Sequence, residues 1–218
     1  MSTPAPSPAP RRTRRPYAPR MPLVERRAQL LDAALAVIVA DGYRAVSVDA
    51  VAKRAGVARS VVYGAYADLD ALLAALLDRE QARAFALLAD AAPDPAAHPD
   101  PVGYAVETVR RAGAALRSDP DTWRLILLTP PGTPAAVHAR VEADRRRVRR
   151  GVTTWLASHP TTPGRPAPDP EILAHALVAC AEHFGRLALT DPGAIDTERL
   201  VTQVRLLLTA LWTPPPTP

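Results

Sequence analysis

The sequence has one cysteine, one lysine and few aromatic residues, and each shortage excludes something. Cys180 alone rules out an internal disulfide and any zinc site built from several cysteines. Aromatic residues make up 5% of the chain, and only 10 of 218 residues are glycine. Both figures are low for a β-rich protein, whose strands and turns draw on these residues. No apolar run reaches the roughly 18 residues of a membrane span. The N-terminal stretch is polar and lacks the apolar segment of a secretory signal, so the expected compartment is the cytoplasm, with no membrane as a partner. HExxH, GxSxG, phosphate loops, glycine-rich dinucleotide turns and paired Glu-x-x-His sites are all missing. Glu171 with His175, and Glu182 beside His183, stand isolated. The chain reads as a non-enzyme with no cofactor and no metal site.

What remains is 48% apolar and rich in Ala and Leu, enough for a substantial core in one or two domains and pointing to an all-α fold. Charge is unevenly spread. Residues 1–66 carry eleven cations, Lys53 and ten arginines, against four acids, Glu25, Asp32, Asp41 and Asp49. Residues 67–218 carry 16 cations and 18 acids. Such a split suggests that the N-terminal third meets a polyanion and the rest does not.

Residues 1–21 form an arm of prolines and arginines (Arg11, Arg12, Arg14, Arg15, Arg20) with almost nothing to bury, and it is expected to be disordered. Helical periodicity then predicts a helix over 23–41, stopped by Gly42. A second short helix starts at Ser47, a good N-cap with Asp49 in the first turn, and breaks at Gly56. A third covers about 59–65, and Asp68 caps a long Ala/Leu helix to about 90. Five more are expected at about 101–117, 120–129, 134–158, 170–190 and 196–212, about nine in all. Asp169-Pro170-Glu171 is a start signal of cap, proline and acid. Residues 214–218 read as a disordered tail.

The informative stretch is SVDAVAKRAGVARSVVYGAY, Ser47 to Tyr66. Two short helices joined at a tight turn need a small residue where they cross, a glycine in the turn and an apolar anchor beyond it. Ala52, Gly56 and Val62 fill those places, with Val48, Val51, Val57 and Val61 facing inward. This is a helix-turn-helix pattern. The preceding Arg27-Ala28-Gln29-Leu30-Leu31-Asp32-Ala33-Ala34, then Asp41-Gly42-Tyr43, Val46-Ser47-Val48-Asp49, Val62-Tyr63, Tyr66 and Asp68 to Leu72-Leu73 extend it. Over about residues 24–73 the chain resembles the DNA-binding domain of the TetR family of bacterial regulators.

The resemblance implies an N-terminal helix-turn-helix domain (22–67) followed by a larger helical effector-binding and dimerisation domain (68–213). It also implies that the third helix enters the major groove and exposes Arg59, Ser60, Tyr63 and Gly64. Arg59 suits either guanine O6/N7 or a phosphate. Tyr63 takes a phosphate, and Tyr66 chiefly packs while its hydroxyl reaches toward the DNA backbone. Ser47 and Val48 open the second helix, whose amides can hold a phosphate. Arg44 and Lys53 are candidate phosphate ligands or solvated surface charges. Two departures stand out. The lysine common near the start of the family's fourth helix is Leu69 here, and Ala58 replaces the usual capping hydroxyl before the third helix. Both shift DNA binding toward the basic arm, which suits a minor groove or a nonspecific tail.

A palindromic operator needs a two-fold protein. The last two helices offer the expected homodimer surface: Ile172 and Phe184, then the stripe Leu200, Val204, Leu207 and Leu211. Each stripe could equally serve the chain's own core. A small-molecule effector is expected between the middle helices, with Trp123, Trp155, His175, Cys180, His183 and Phe184 as candidate linings. His175 and His183 lie eight apart, too far for the usual three- or four-residue spacing of paired metal ligands. Five arginines within Asp144–Arg150 read as a solvated face, ion-paired or not, rather than a second DNA site. The expected function is a repressor released from DNA by its effector. Two other readings stand beside it: the same fold controlled by a protein partner or by no ligand, and an all-α enzyme.

Overall fold

A computed structural model describes residues 21–159 and 167–212. The basic arm and the C-terminal tail expected from the sequence lie outside the described residues. Every regular element among those described is helical. In chain order they are α1 (Leu23–Asp41), α2 (Val48–Ala55), α3 (Arg59–Ala65), α4 (Leu69–Ala91), α5 (Pro101–Ser118), α6 (Pro120–Leu127), α7 (Ala135–Ser158), α8 (Pro170–Thr190) and α9 (Thr197–Trp212). A single turn of 3-10 helix, Tyr43–Ala45, joins α1 to α2 and was not expected from the sequence.

Local chemistry sets the ends. Ser47 caps α2 by accepting the Ala50 amide at 3.1 Å, and Asp68 caps α4 by accepting that of Ala71 at 2.7 Å. Asp169 accepts two amides, from Glu171 at 2.8 Å and Ile172 at 3.2 Å, ahead of a proline that needs no partner for its nitrogen. Gly56 closes α2 in the left-handed region (φ 68°, ψ 33°) while the Val57 amide reaches back to Ala52 O at 3.0 Å. Ala58 gives α3 no side-chain cap, as its identity requires.

The first core gathers Leu30, Ala34 and Ile38 of α1, Val51 and Ala52 of α2, Val62 and Ala65 of α3, and Leu72 and Leu76 of α4. It is not confined to the first four helices, because Leu125 of α6 and Val137 of α7 complete it. A second, smaller core holds Ala84, Trp123 and Leu189. Outside these, α7 packs along α8 and α5 along α9. Arg145 of α7 meets Glu182 of α8 at 2.8 Å, and Arg110 of α5 meets Glu198 of α9 at 2.9 Å. Arg110 and Arg111 hold the Glu107 carboxyl below the usual carboxylate range. The arginine-rich run on α7 is largely occupied within the chain: Arg145 and Arg149 pair with Glu142, and Arg147 lies over the Phe85 ring.

The expectation of no span-length apolar run needs amendment. By length and composition α8 alone could cross a membrane, and most of it is unburied. Its Glu182 and Arg186 pair with each other, and Glu182 also with Arg145, which binds that face of α8 to α7. The rest of its apolar surface stays open.

Candidate nucleic-acid interface

The helix-turn-helix positions α3 by burying one side of it. Val62 is 2% exposed and Ala65 3%. With 3.6 residues per turn, Arg59, Ser60, Tyr63 and Gly64 then fall on the opposite side, and all four are exposed. Two side chains of α1 tie down the neighbouring helix ends. Arg27 donates through Nε to Ala65 O at 3.0 Å, and Gln29 donates through Nε2 to Ala55 O at 3.0 Å. Each satisfies a carbonyl that the last turn of a helix leaves without a partner. The short α3, uncapped at its start, is therefore anchored at its end.

Around α3 the surface is cationic. Arg44, Lys53 and Arg54 are exposed, with no ion-pair partner among the described residues. Arg59 is paired: its Nε lies 2.9 Å from Asp49 Oδ1 of α2, both side chains being well exposed. Ser47 is exposed; its Oγ accepts from Ala50, which leaves the hydroxyl proton free to donate. Val48 is half-buried, so only its backbone is on offer to a ligand.

Tyr66 stands apart from the exposed set. It is buried beneath Arg27, whose guanidinium sits 5.5 Å from the ring centroid, and its hydroxyl donates to Arg27 O at 3.5 Å. Burial raises its pKa, and the charges of Arg27 and Arg79 oppose the rise. Of the two roles expected for it, packing is the one this geometry supports. Leu69, where a lysine was noted as missing, packs half-buried against the first core.

The six expected effector residues are not brought around one cavity. Trp123 lies in the second core, its Nε1 buried without a hydrogen-bond partner. Trp155 belongs instead to an aromatic cluster with Tyr104 at 5.4 Å, His159 at 4.7 Å and Trp212 at 6.1 Å between ring centroids. His175, Cys180 and His183 are exposed on α8, and Phe184 is half-buried against His183. A cavity of about 170 Å³ lined by Leu156, His159, Leu173 and Trp212 includes none of the six, nor does an open groove between α1 and α2. Of the expected dimer residues, Ile172 and Leu207 are each 70% exposed, while Phe184, Leu200, Val204 and Leu211 are half-buried. Leu206, 60% exposed, belongs with the open pair and has no distinguishing signal in its sequence spacing.

These features define a helix-turn-helix protein with an appended helical domain. The family description "Bacterial regulatory proteins, tetR family" matches residues 30–76, and "Tetracyclin repressor-like, C-terminal domain" matches residues 104–211. The chain belongs to the TetR family, and its fold is that of a transcriptional regulator with a DNA-binding helix-turn-helix. A TetR-like transcriptional regulator from Rhodococcus sp. RHA1 is similar at a TM-score of 0.67 and 26% identity, over 88% of this chain and 98% of that one. A tetR-family regulator from Streptomyces coelicolor gives 0.61 and 24%, over 88% and 82%. The fatty acid degradation regulator FadR from Bacillus halodurans gives 0.61 and 16%, over 84% and 94%, a likeness of fold alone. No curated protein matches the chain.

Proposed function

We propose that this protein is a cytoplasmic, non-enzymatic repressor whose homodimer binds a palindromic operator and leaves it when a small-molecule effector binds. The observation that carries the reading is the division of α3: an apolar side sealed in the core, and Arg59, Ser60, Tyr63 and Gly64 turned outward. In a major groove that row supplies one bidentate donor, one hydroxyl, one phenol and a position where the backbone can approach closely. Arg44, Ser47, Lys53 and the amide of Val48 flank it as phosphate ligands, and Tyr66 supports it from below. Residues 22–67 are the reading head on this view, and 68–213 serve effector and dimer.

The open apolar residues of α8 and α9 support self-association, since Ile172, Leu206 and Leu207 lie bare on neighbouring helices. Two copies would present two reading helices to successive major grooves, about 34–36 Å apart. For the effector, Trp123 offers a buried donor with no partner. One observation favours a second reading, control by a protein partner or by no ligand: His175, Cys180 and His183 face outward rather than into a cavity.

Fluorescence anisotropy tests the core of the proposal. Duplexes enriched by the protein from a random pool should share a two-fold motif and bind with an affinity that falls steeply with salt. Weak, sequence-blind binding at every salt concentration would overturn it.

A further inference from the structure

The turn between α6 and α7, Pro130 to Pro134, is docked on the segment that carries Arg44. The Tyr43 amide donates to Pro131 O at 2.9 Å. The backbones approach so closely that a Cβ at Gly42 would sit 2.7 Å from that same oxygen. Gly132 adopts φ +79° and lies against the Arg44 stem, so that a Cβ there would overlap Arg44 Cγ. The turn is held by its own bonds, Thr133 Oγ1 to Pro130 O at 2.5 Å and the Thr133 amide to the same carbonyl at 3.2 Å. Its two flanks are pinned as well, because Leu125 and Val137 are buried in the core under the helix-turn-helix.

We infer that Pro131 and Gly132 are positioning residues for DNA binding: they seat the aliphatic stem of Arg44 so that its guanidinium stands ready for a phosphate. The stem is confined by Gly132 while the charged end is exposed and has no ion-pair partner among the described residues. A long cation that is held before it binds loses less rotamer entropy on binding. The same contact makes Arg44 sensitive to the position of α6, the helix that also carries Trp123. A shift of α6 moves Pro131, and with it Tyr43 and Arg44, without any change in α3. This inference rests on the reading of Arg44 as a phosphate ligand.

The test is a double-mutant cycle on the full-length protein, using a duplex that the wild type enriches from a random pool. Anisotropy titrations at several salt concentrations compare wild type, Arg44→Ala, Gly132→Ala and the double variant. Arg44→Ala should weaken binding about tenfold and lower the magnitude of the log–log salt slope by about one. Gly132→Ala should do the same, because its methyl drives the Arg44 stem into another rotamer. The double variant should bind no worse than Arg44→Ala. Gly132→Asn serves as a second replacement, since asparagine tolerates positive φ best among residues with a side chain. Should both replacements lose the fold, refolding in the Arg44→Ala background supports the stem contact, and continued unfolding overturns it. Wild-type affinity and slope in folded Gly132 variants, or losses that add to those of Arg44→Ala, overturn the inference and leave the DNA-binding reading intact. A normal slope in Arg44→Ala removes the phosphate role and the inference with it. Failure of the wild type to enrich any duplex overturns both readings.

Discussion

Asp49 of α2 holds Arg59 of α3 at 2.9 Å across the helix-turn-helix corner. Both side chains are exposed, so the pair is worth at most about 1 kcal/mol to the fold. Its consequence lies in recognition. A free arginine at this point would attract any phosphate, whereas a paired one must exchange its carboxylate for a better partner, such as the paired acceptors of guanine. Asp49→Asn is therefore expected to raise affinity for unrelated duplexes several-fold while changing affinity for the selected duplex less. Arg59→Ala is expected to weaken the selected duplex and leave dimerisation intact. Parallel anisotropy titrations on both duplexes decide. An unchanged ratio of the two affinities in Asp49→Asn would remove the discriminating role.

Ile172 and Leu207 test the assembly. Each is 70% exposed, and neither contributes to either core, so a charge at these places should cost the fold little. Ile172→Asp combined with Leu207→Arg is expected to give a folded monomer by sedimentation velocity, with operator affinity falling steeply because half of the contacts are lost. A variant that remains dimeric would locate the interface elsewhere.

A buried polar chain crosses between the two cores. Thr122 of α6 donates to Glu80 Oε2 at 2.5 Å, and both residues are almost wholly inaccessible. The other carboxylate oxygen accepts from Arg79 Nε at 2.7 Å, and Arg79 also reaches Asp32 of α1 at 2.7 Å. Thr122→Val keeps the shape but removes a donor from a buried carboxylate, which costs about 1–3 kcal/mol. Urea unfolding should show that loss, and Thr122→Ser, which retains the hydroxyl, should show less of it. Equal losses in the two variants would point to the methyl group and packing instead.

How much was legible beforehand follows from the range of each interaction. The caps at Ser47, Asp68 and Asp169 and the turn at Gly56 are decided within four residues, and the helix limits expected from them agree with those found. The trio Ala52, Gly56 and Val62 lies within one hairpin, so the helix-turn-helix was legible too. Arg27 on Ala65 and Gln29 on Ala55 were not, because they join positions 38 and 26 residues apart. The Asp49–Arg59 pair depends on the angle between two helices. Asp49 read alone is only a residue favourable to a helix start. On α8 the apolar residues run nearly all round, so the sequence does not fix which side faces inward. His175, Cys180 and His183, expected to line a cavity, lie on the open side for that reason.

Tyr43 joins α1, the α6–α7 turn and the first core, and it gives the protein an alkaline limit. It is 7% exposed, and its hydroxyl is buried with no hydrogen-bond partner. Burial pushes its pKa up to about 12, because the phenolate would have to form without water. In the unfolded chain the same phenol titrates near 10. Between those values the unfolded state loses its proton and the folded state keeps it, so stability present below pH 10 drains away as pH rises toward 12. Tyr43→Phe removes both the orphaned hydroxyl and the titration. It is expected to match or exceed wild-type stability at neutral pH and to lose less of it between pH 10 and 12. Chemical denaturation across that range measures the difference. A wild-type midpoint falling no faster than that of Tyr43→Phe would show that the hydroxyl is solvated in the folded protein, and that the contact of this segment with Pro131 is looser than its 2.9 Å hydrogen bond implies.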